Sequence, residues 1–366
     1  MTGQRKTTLA DIAAKTGYGT NTVSLALRGS TRISQEARDV IAKAASELDY
    51  IPNNSAKSLV LKRSNTVGML LEYLTNPQPT AVATELQREM AERGYGVLFA
   101  TSSTPEQETA AIEMFRRHGV DGLLIYPVDH TNLDHLHRLR ARNFPIVMLV
   151  GMRDTGLDCV GVDEFKASFD ATTHLIALGH TRIGALGPLN EKPLKIDGFR
   201  HAHRVHGIPL DERQIVEPDG FSMEAGYNGM KKLSARQSDL TALFASSDVY
   251  GLGAMRWAQD NGISVPEQLS IVGYDNIEFG KFSHTSLTSV QNDGAALAKA
   301  AVSRLVQLME VGTKLPAPTL NLLPGELVVR ESTSRPGHSS TIGQPTYQRG
   351  HPGAVAISAN FRWSGD

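Results

Sequence analysis

The sequence predicts an N-terminal all-α helix-turn-helix domain followed by an α/β domain of two doubly wound lobes, each on a parallel sheet. Three observations carry this expectation. Residues 8–48 show only short apolar stripes at helical spacing. From Thr66 onward, apolar runs of four to six residues alternate with amphipathic segments of ten to thirteen. The alternation then occurs as two consecutive series, which right-handed βαβ connections turn into two lobes. At 366 residues the chain is also too long for one compact core.

Thr8 is placed as the N-cap of the first helix, with Asp11 favourable in its first turn. Leu9, Ile12, Ala13 and Thr16 share one face, and Gly17-Tyr18-Gly19 ends the helix. A second helix is expected over 20–27, with Val23, Ala26 and Leu27 inward. Ser34 caps a third, whose buried stripe is Val40, Ile41, Ala44, Ala45 and Leu48, and Pro52 closes the unit. Strands are expected at 66–71, 95–100, 122–126, 146–150 and 159–162, then at 182–186, 213–216, 241–245 and 269–273. Crossover helices are expected at 81–93, 106–118, 166–178, 224–233 and 249–261. The expected domains are 1–52 (helical head), 53–64 (linker), 65–335 (two lobes) and 336–366. The last segment holds twelve Gly, Pro or Ser among 31 residues and reads as a disordered tail.

Composition narrows the function. The chain is 40% hydrophobic and 20% charged, with no apolar run near the 18 or so residues of a membrane span. One cysteine, Cys159, precludes an intramolecular disulfide framework and fits a reducing compartment, so a soluble cytoplasmic protein without a secretory signal is expected. The net charge of −1 is unevenly shared. Residues 1–64 carry ten Lys/Arg against five Asp/Glu, a net of +5, which leaves −6 for the remainder. A basic head on an acidic body suits a polyanionic partner for the head.

On the second helix Asn21, Leu25 and Arg28 form one stripe facing away from Val23 and Leu27, flanked by Thr20 and Ser24. Short polar groups near the start of such a helix can reach base edges in a major groove while its other face packs inward. A protein-interaction module would show the same polar face. No Gly-x-Ser-x-Gly elbow, GxxxxGK[ST] loop or HExxH pair is present, so nothing argues for catalysis, and no cofactor is implied. His201, His203 and His206 do not share one helix face and read as a solvated surface rather than a metal site.

Over residues 7–335 the chain resembles the lactose/galactose repressor (LacI/GalR) family. The head carries TLADIAAKTG (8–17), TVS (22–24), RISQEAR (32–38), LDYIPN (48–53) and AKSL (56–59). The body carries GHTRIG (179–184), DGF (197–199), SDVYGLGAM (247–255), VPEQLSIVGYD (265–275), LTSVQ (287–291) and LVVRES (327–332). The resemblance implies a homodimeric operator-binding regulator, most often a repressor, whose body has a periplasmic-binding-protein-like fold and holds a small-molecule effector. It implies DNA contacts from Thr8, Thr20, Asn21, Thr22, Ser24, Leu25, Arg28, Arg32, Ser34, Asn53, Ala56 and Lys57, with phosphate contacts also from Arg63. Residues 53–61 take the place of a hinge that becomes helical on the operator, with Leu59 as a minor-groove wedge.

Two departures stand out in the head. Gly19 replaces a capping serine, and Leu25 replaces a common arginine, so a thymine methyl rather than guanine O6/N7 suits that position. In the body the resemblance puts the effector against Asn76, Gln78, Tyr126, Val150, Lys195, Phe221, Ser247 and Asp275. Lys195, Ser247 and Val150 stand where sugar-sensing members carry arginine, asparagine and aspartate. A sugar is the expectation; a sugar acid or phosphate is the alternative, because one carboxylate is lost and a cation kept. Lys195 could instead be a solvated helix lysine.

Overall fold

The computed structural model describes residues 7–50, 63–72, 77–189, 193–311 and 314–337. The chain divides into two units, Met1–Ser64 and Asn65–Asp366. The expected tail beyond residue 337, Pro52 and most of the 53–64 linker lie outside the described residues.

The first unit is three helices, α1 (Leu9–Thr16), α2 (Thr20–Leu27) and α3 (Gln35–Glu47). Thr8 begins α1, and Asp11 reaches back to it, accepting from the Thr8 backbone N–H at 2.8 Å and from its hydroxyl at 2.7 Å. Gly17 ends α1 at φ 74°, a left-handed conformation that glycine adopts without a Cβ penalty. Ser34 caps α3 by accepting from the Ala37 N–H at 3.3 Å. Ile12, Val23, Ala26, Ile41, Ala44 and Ala45 form the core. The expected stripe of α3 needs one correction: Val40 is 45% exposed, and Ala37 is buried instead. Ala37, Ile41, Ala44, Ala45 and Leu48 follow the helical period, whereas Val40 lies about 100° round from Ile41.

The second unit holds two six-stranded sheets. The first uses β1 (Thr66–Leu71), β2 (Gly96–Thr101), β3 (Gly122–Ile125), β4 (Ile146–Met148), β5 (Cys159–Val162) and β11 (Leu320–Leu323). Its order is β11-β5-β4-β3-β1-β2, and every pairing is parallel. The second uses β6 (Ile183–Leu186), β7 (Ile215–Val216), β8 (Ala242–Ala245), β9 (Ser270–Tyr274), β10 (Thr288–Asn292) and β12 (Gly325–Val328), in the order β12-β10-β9-β8-β6-β7. There β12 runs antiparallel to β10.

The helices α4 (Pro77–Glu92), α5 (Pro105–Arg117) and α6 (Asp134–Ala141) flank the first sheet. The second is flanked by α7 (Glu164–Ala177), α8 (Leu194–Val205), α9 (Met223–Arg236) and α10 (Asp248–Asp260). A short α11 (Glu278–Lys281) and a long α12 (Gly294–Glu310) come next.

The lobes are not simply consecutive. β5 belongs to the first sheet, but Ala167, Ala171 and Leu175 of the adjoining α7 pack with Ile183, Phe244 and Val272 of the second. β10 belongs to the second, yet Leu297, Ala301 and Leu305 of α12 pack with Met69, Leu124 and Val147 of the first. β11 and β12 then divide between the two sheets. The chain thus crosses three times, at 163, 293 and 324, and Asp163 and Asp293 cap the helices that begin at the first two crossings. None of β10, β11, β12, α6, α11 or α12 is among the elements expected from the sequence, so the expected lobes simply follow one another.

Two glycines let α9 and α10 pack backbone to backbone. A Cβ on Gly226 would stand 2.5 Å from the Tyr250 carbonyl oxygen, and one on Gly253 only 2.0 Å from that of Met223. At the first sheet, Asp158 is fully buried and accepts from Arg140 Nη1 at 2.5 Å, from Arg304 Nε at 2.7 Å and from the Thr319 N–H at 2.9 Å. It joins α6, α12 and the approach to β11 at the start of β5. Asp158→Ala would leave two guanidinium groups facing each other with no counter-ion. Urea unfolding of the full chain should show a loss of roughly 3–5 kcal/mol, the usual cost of breaking a buried pair.

Candidate nucleic-acid interface and ligand cavity

In the first unit α2 turns Val23 and Ala26 into the core and leaves Thr20, Asn21, Leu25 and Arg28 exposed; Thr22, Ser24 and Leu27 are half-buried. Leu25 is 38% exposed, a large apolar side chain set between an amide and a guanidinium on a polar face. Gly19 occupies the N-cap of α2 in extended geometry (φ −64°, ψ 149°) without a side-chain bond. Arg32 is exposed beyond α2. Thr8 and Ser34 are exposed too, but their hydroxyls already serve α1 and α3. Asn53, Ala56, Lys57 and Leu59 lie outside the described residues.

In the second unit Gln78, Tyr126, Val150, Lys195, Phe221, Ser247 and Asp275 line one cavity of about 290 Å³; Asn76 lies outside the described residues. The fold explains the convergence, because parallel strands all deliver the residues beyond their carboxyl ends to one edge of the sheet. Tyr126 comes directly after β3, Val150 lies two residues past β4, Ser247 two past β8, and Asp275 directly after β9. The same logic supplies residues the sequence reading missed: Glu72 after β1, Glu164 at the first crossing after β5, Glu217 after β7 and Asn292 at the end of β10. A search of the one or two positions past each apolar run would have found the three glutamates. Asn292 could not be found so, since β10 itself went unread. Tyr250 also lines the cavity, its ring 5.3 Å from that of Phe221.

Lys195 is not a solvated helix lysine. Its side chain is 17% exposed, and Nζ donates to the Ser246 carbonyl at 3.1 Å. Nζ lies 3.7 Å from Asp275 Oδ1, 3.8 Å from Glu164 Oε1 and 3.8 Å above the Tyr274 ring. The ammonium therefore already has counter-charges. Burial pushes the Asp275 carboxyl up; Lys195 and the Ser247 hydroxyl oppose that shift, while Glu164 adds to it. Ser247 Oγ donates to Asp275 Oδ2 at 2.8 Å.

Asp275 sits at φ 104°, a strained backbone for a residue with a Cβ. Its N–H is tied to the Val290 carbonyl at 2.9 Å. Behind it, fully buried Asp248 accepts from the Ile277 N–H at 2.8 Å and from Ser289 Oγ at 2.6 Å. Burial first, and then the Asp275 charge, push Asp248 up to about 8.

The histidines divide differently from expectation. His203 is buried, with Nδ1 3.0 Å from the Phe199 carbonyl and its ring against Phe199, while His201 and His206 pack on Phe169. No group of three metal-ligating side chains forms among the described residues, and no helix there is long and apolar enough to cross a membrane.

Comparison with known proteins respects this division. Residues 8–53 match the family of bacterial regulatory proteins of the lacI family, and 172–333 match the periplasmic binding protein-like domain. The HTH-type transcriptional regulator DegA of Bacillus subtilis is 31% identical over 90% of this chain and 98% of its own. The repressor CytR of Escherichia coli is 30% identical over 89% and 96%. The Lac repressor dimer bound to operator and an anti-inducer superposes with a TM-score of 0.81 at 27% identity, over 90% of this chain and all of that one. A transcriptional regulator CelR–cellobiose complex gives 0.67 at 27% identity, over 89% and all of that chain. These relatives are transcriptional regulators, not enzymes. A helix-turn-helix head, a two-lobed body with the chain crossing three times, and identity of 30% or more along nine-tenths of the chain agree: this protein belongs to the lacI family of transcriptional regulators.

Proposed function

We propose that the chain is a homodimeric repressor acting in the cytoplasm, which reads a near-palindromic operator with α2 and loses or gains affinity when a sugar-class effector enters the cavity. The observation that carries the effector half is the placement of the cavity. It draws Gln78, Tyr126 and Val150 from one lobe and Lys195, Phe221, Ser247 and Asp275 from the other, with Glu164 at a crossing between them. A ligand touching both lobes favours one lobe angle over another, and it can shift that equilibrium only by its differential affinity for the two. The operator, by reciprocity, must change effector affinity by the same factor. Segment 53–61, with Leu59 as the minor-groove wedge, is assigned the transmission to DNA, and Thr8, Thr20, Thr22, Ser24, Arg32, Ser34, Asn53, Ala56 and Lys57 flank the reading stripe of Asn21, Leu25 and Arg28.

Selection from random duplexes at physiological salt, then anisotropy with excess nonspecific competitor, tests the reading. A near-palindromic site bound at least a thousandfold more tightly than random duplex is the expected result. Purely nonspecific binding, with and without a metabolite extract, would sink it.

Two substitutions sharpen the proposal. Leu25→Arg should change the preferred base at one position of each half-site, by about 1–3 kcal/mol where a bidentate guanine contact forms. Identical consensus sites for both proteins would refute the role of Leu25. Self-association is supported by Phe279 (61% exposed) and Phe282 (80%), large apolar side chains close together at α11. Phe282→Asp should convert a sedimenting dimer into a monomer and weaken operator binding, since both heads no longer engage one site. A variant still dimeric at low micromolar concentration would place the interface elsewhere.

A further inference from the structure

The geometry points to an effector that carries a protonated amine, of the amino-sugar type, rather than a neutral sugar or a sugar acid; this rests on the cavity being the effector site. Among the described residues lining it are four carboxylates, Glu72, Glu164, Glu217 and Asp275, and one cation, Lys195. The cation is already engaged: Glu164 and Asp275 stand within 3.8 Å of its ammonium, the Ser246 carbonyl accepts from it, and the Tyr274 ring lies beneath it. An incoming anion would have to displace these partners and then face the carboxylates left behind. The alternative drawn from sequence, that Lys195 waits for an acid or phosphate, therefore loses its basis.

What the wall offers is acceptors. Ionised carboxylates accept hydrogen bonds and donate none. Asn292 lines the space as well, at the crossing between β10 and α12. Ser247, which could have donated to a ligand, spends its hydroxyl on Asp275. Tyr126, Glu164, Glu72 and Asp275 all line this one space, and burial first, then the charges of Glu164, Glu72 and Asp275, push the Tyr126 phenol up. A neutral polyol brings a donor and an acceptor on every hydroxyl. An ammonium brings three donors and a positive charge, and so matches a wall whose described residues are rich in acceptors and net negative. The rest of the lining suits such a ligand's ring: Phe221 and Tyr250 form a tilted aromatic pair, and Tyr126 faces in from the other lobe. Aromatic faces pack on sugar CH surfaces and attract cations. At about 290 Å³ the space is at the small end for ligand sites, which favours a single ring.

The placement also gives the charge a mechanical role. Asp275 belongs to the second lobe and Tyr126 to the first, while Glu164 begins the helix at the first crossing. An ammonium bound beside Lys195, sharing the Glu164 and Asp275 carboxylates with it and lying against Tyr126, would draw on both lobes at once. Removing its charge should then cost affinity and the operator response together.

Titration calorimetry on the full-length protein tests this with matched ligands: glucosamine, galactosamine and mannosamine against glucose, galactose and mannose, their N-acetylated amines, and glucuronate and galacturonate. At least one amine should bind ten times or more tightly than its neutral and N-acetylated counterparts, and the acids should bind most weakly. Binding of the amine should weaken as salt rises and as pH passes the amine's own pKa. Glu164→Gln should bring the amine and its neutral counterpart to within about threefold, while the melting temperature without ligand holds. Tightest binding by a neutral or acidic sugar, or no binding by any amine, overturns the amine assignment and leaves the effector site standing. Amine binding unchanged in both Glu164→Gln and Phe221→Ala would place the ligand outside the cavity, and the effector-site reading would fail with it.

Discussion

The ligand cavity depends on the chain passing between its two sheets three times. A parallel sheet sends every residue just past a strand to the same edge, and two such sheets joined by crossings at 163, 293 and 324 bring those edges face to face. The crossings are short, and at two of them an aspartate cap fixes where the next helix starts. That leaves a few backbone positions to absorb any change in lobe angle, which is how hinge closure is generally built. Asp158, bonded to Arg140 and Arg304, secures the far end of β5 and so anchors the strand that leads to the first crossing.

Charge and packing at the cavity arise from this arrangement rather than from any contiguous motif. Glu72, Glu164, Glu217 and Asp275 are far apart in sequence and meet only because each stands one or two residues past a strand. Lys195 sits among them on the first turn of α8, where Ser246, Tyr274 and two carboxylates satisfy it. Gly226 and Gly253 bring α9 and α10 close enough for Phe221 and Tyr250 to share one wall.

Most elements legible in the sequence are those with strong periodicity, although α12 is absent from the expected helices despite Leu297, Ala301, Leu305 and Leu308 at helical spacing. Buried strands such as Thr66–Leu71 and Cys159–Val162 read as apolar runs with the observed bounds, and the helices of the head read from their caps. β10 was not legible because Thr288, Ser289, Gln291 and Asn292 make it mostly polar, and β11 and β12 because each is four residues with mixed exposure. Missing them concealed the crossings, and with them the reason that Glu164 and Asn292 face the cavity. Val40 shows the same limit on a smaller scale. Two adjacent apolar residues in α3 left the buried face ambiguous, and Ala37 decides it for Ile41. The environment of Lys195 was beyond sequence reading, since spacing along α8 does not report two carboxylates delivered by other elements.

The second lobe's share of the cavity is a rigid surface. Asp275 holds φ 104°, which costs of order 1–3 kcal/mol and persists only where the surroundings over-determine it. They do: its N–H is bound to Val290, its carboxylate to Ser247, the next N–H to Ser289 Oγ at 3.0 Å, and the one after that to Asp248. Asp248 in turn starts α10, so this loop, β10 and the helix that carries Tyr250 form one hydrogen-bonded body. A carboxylate fixed in this way needs little reorganisation to accept a ligand's donor, so binding energy is not spent on ordering the loop. Loop rearrangement inside the second lobe would break four of these bonds at once, whereas rotation about the three crossings breaks none of them. A closure around a ligand would therefore have to come from rotation about the crossings, at the first of which Glu164 stands 3.8 Å from the Lys195 ammonium.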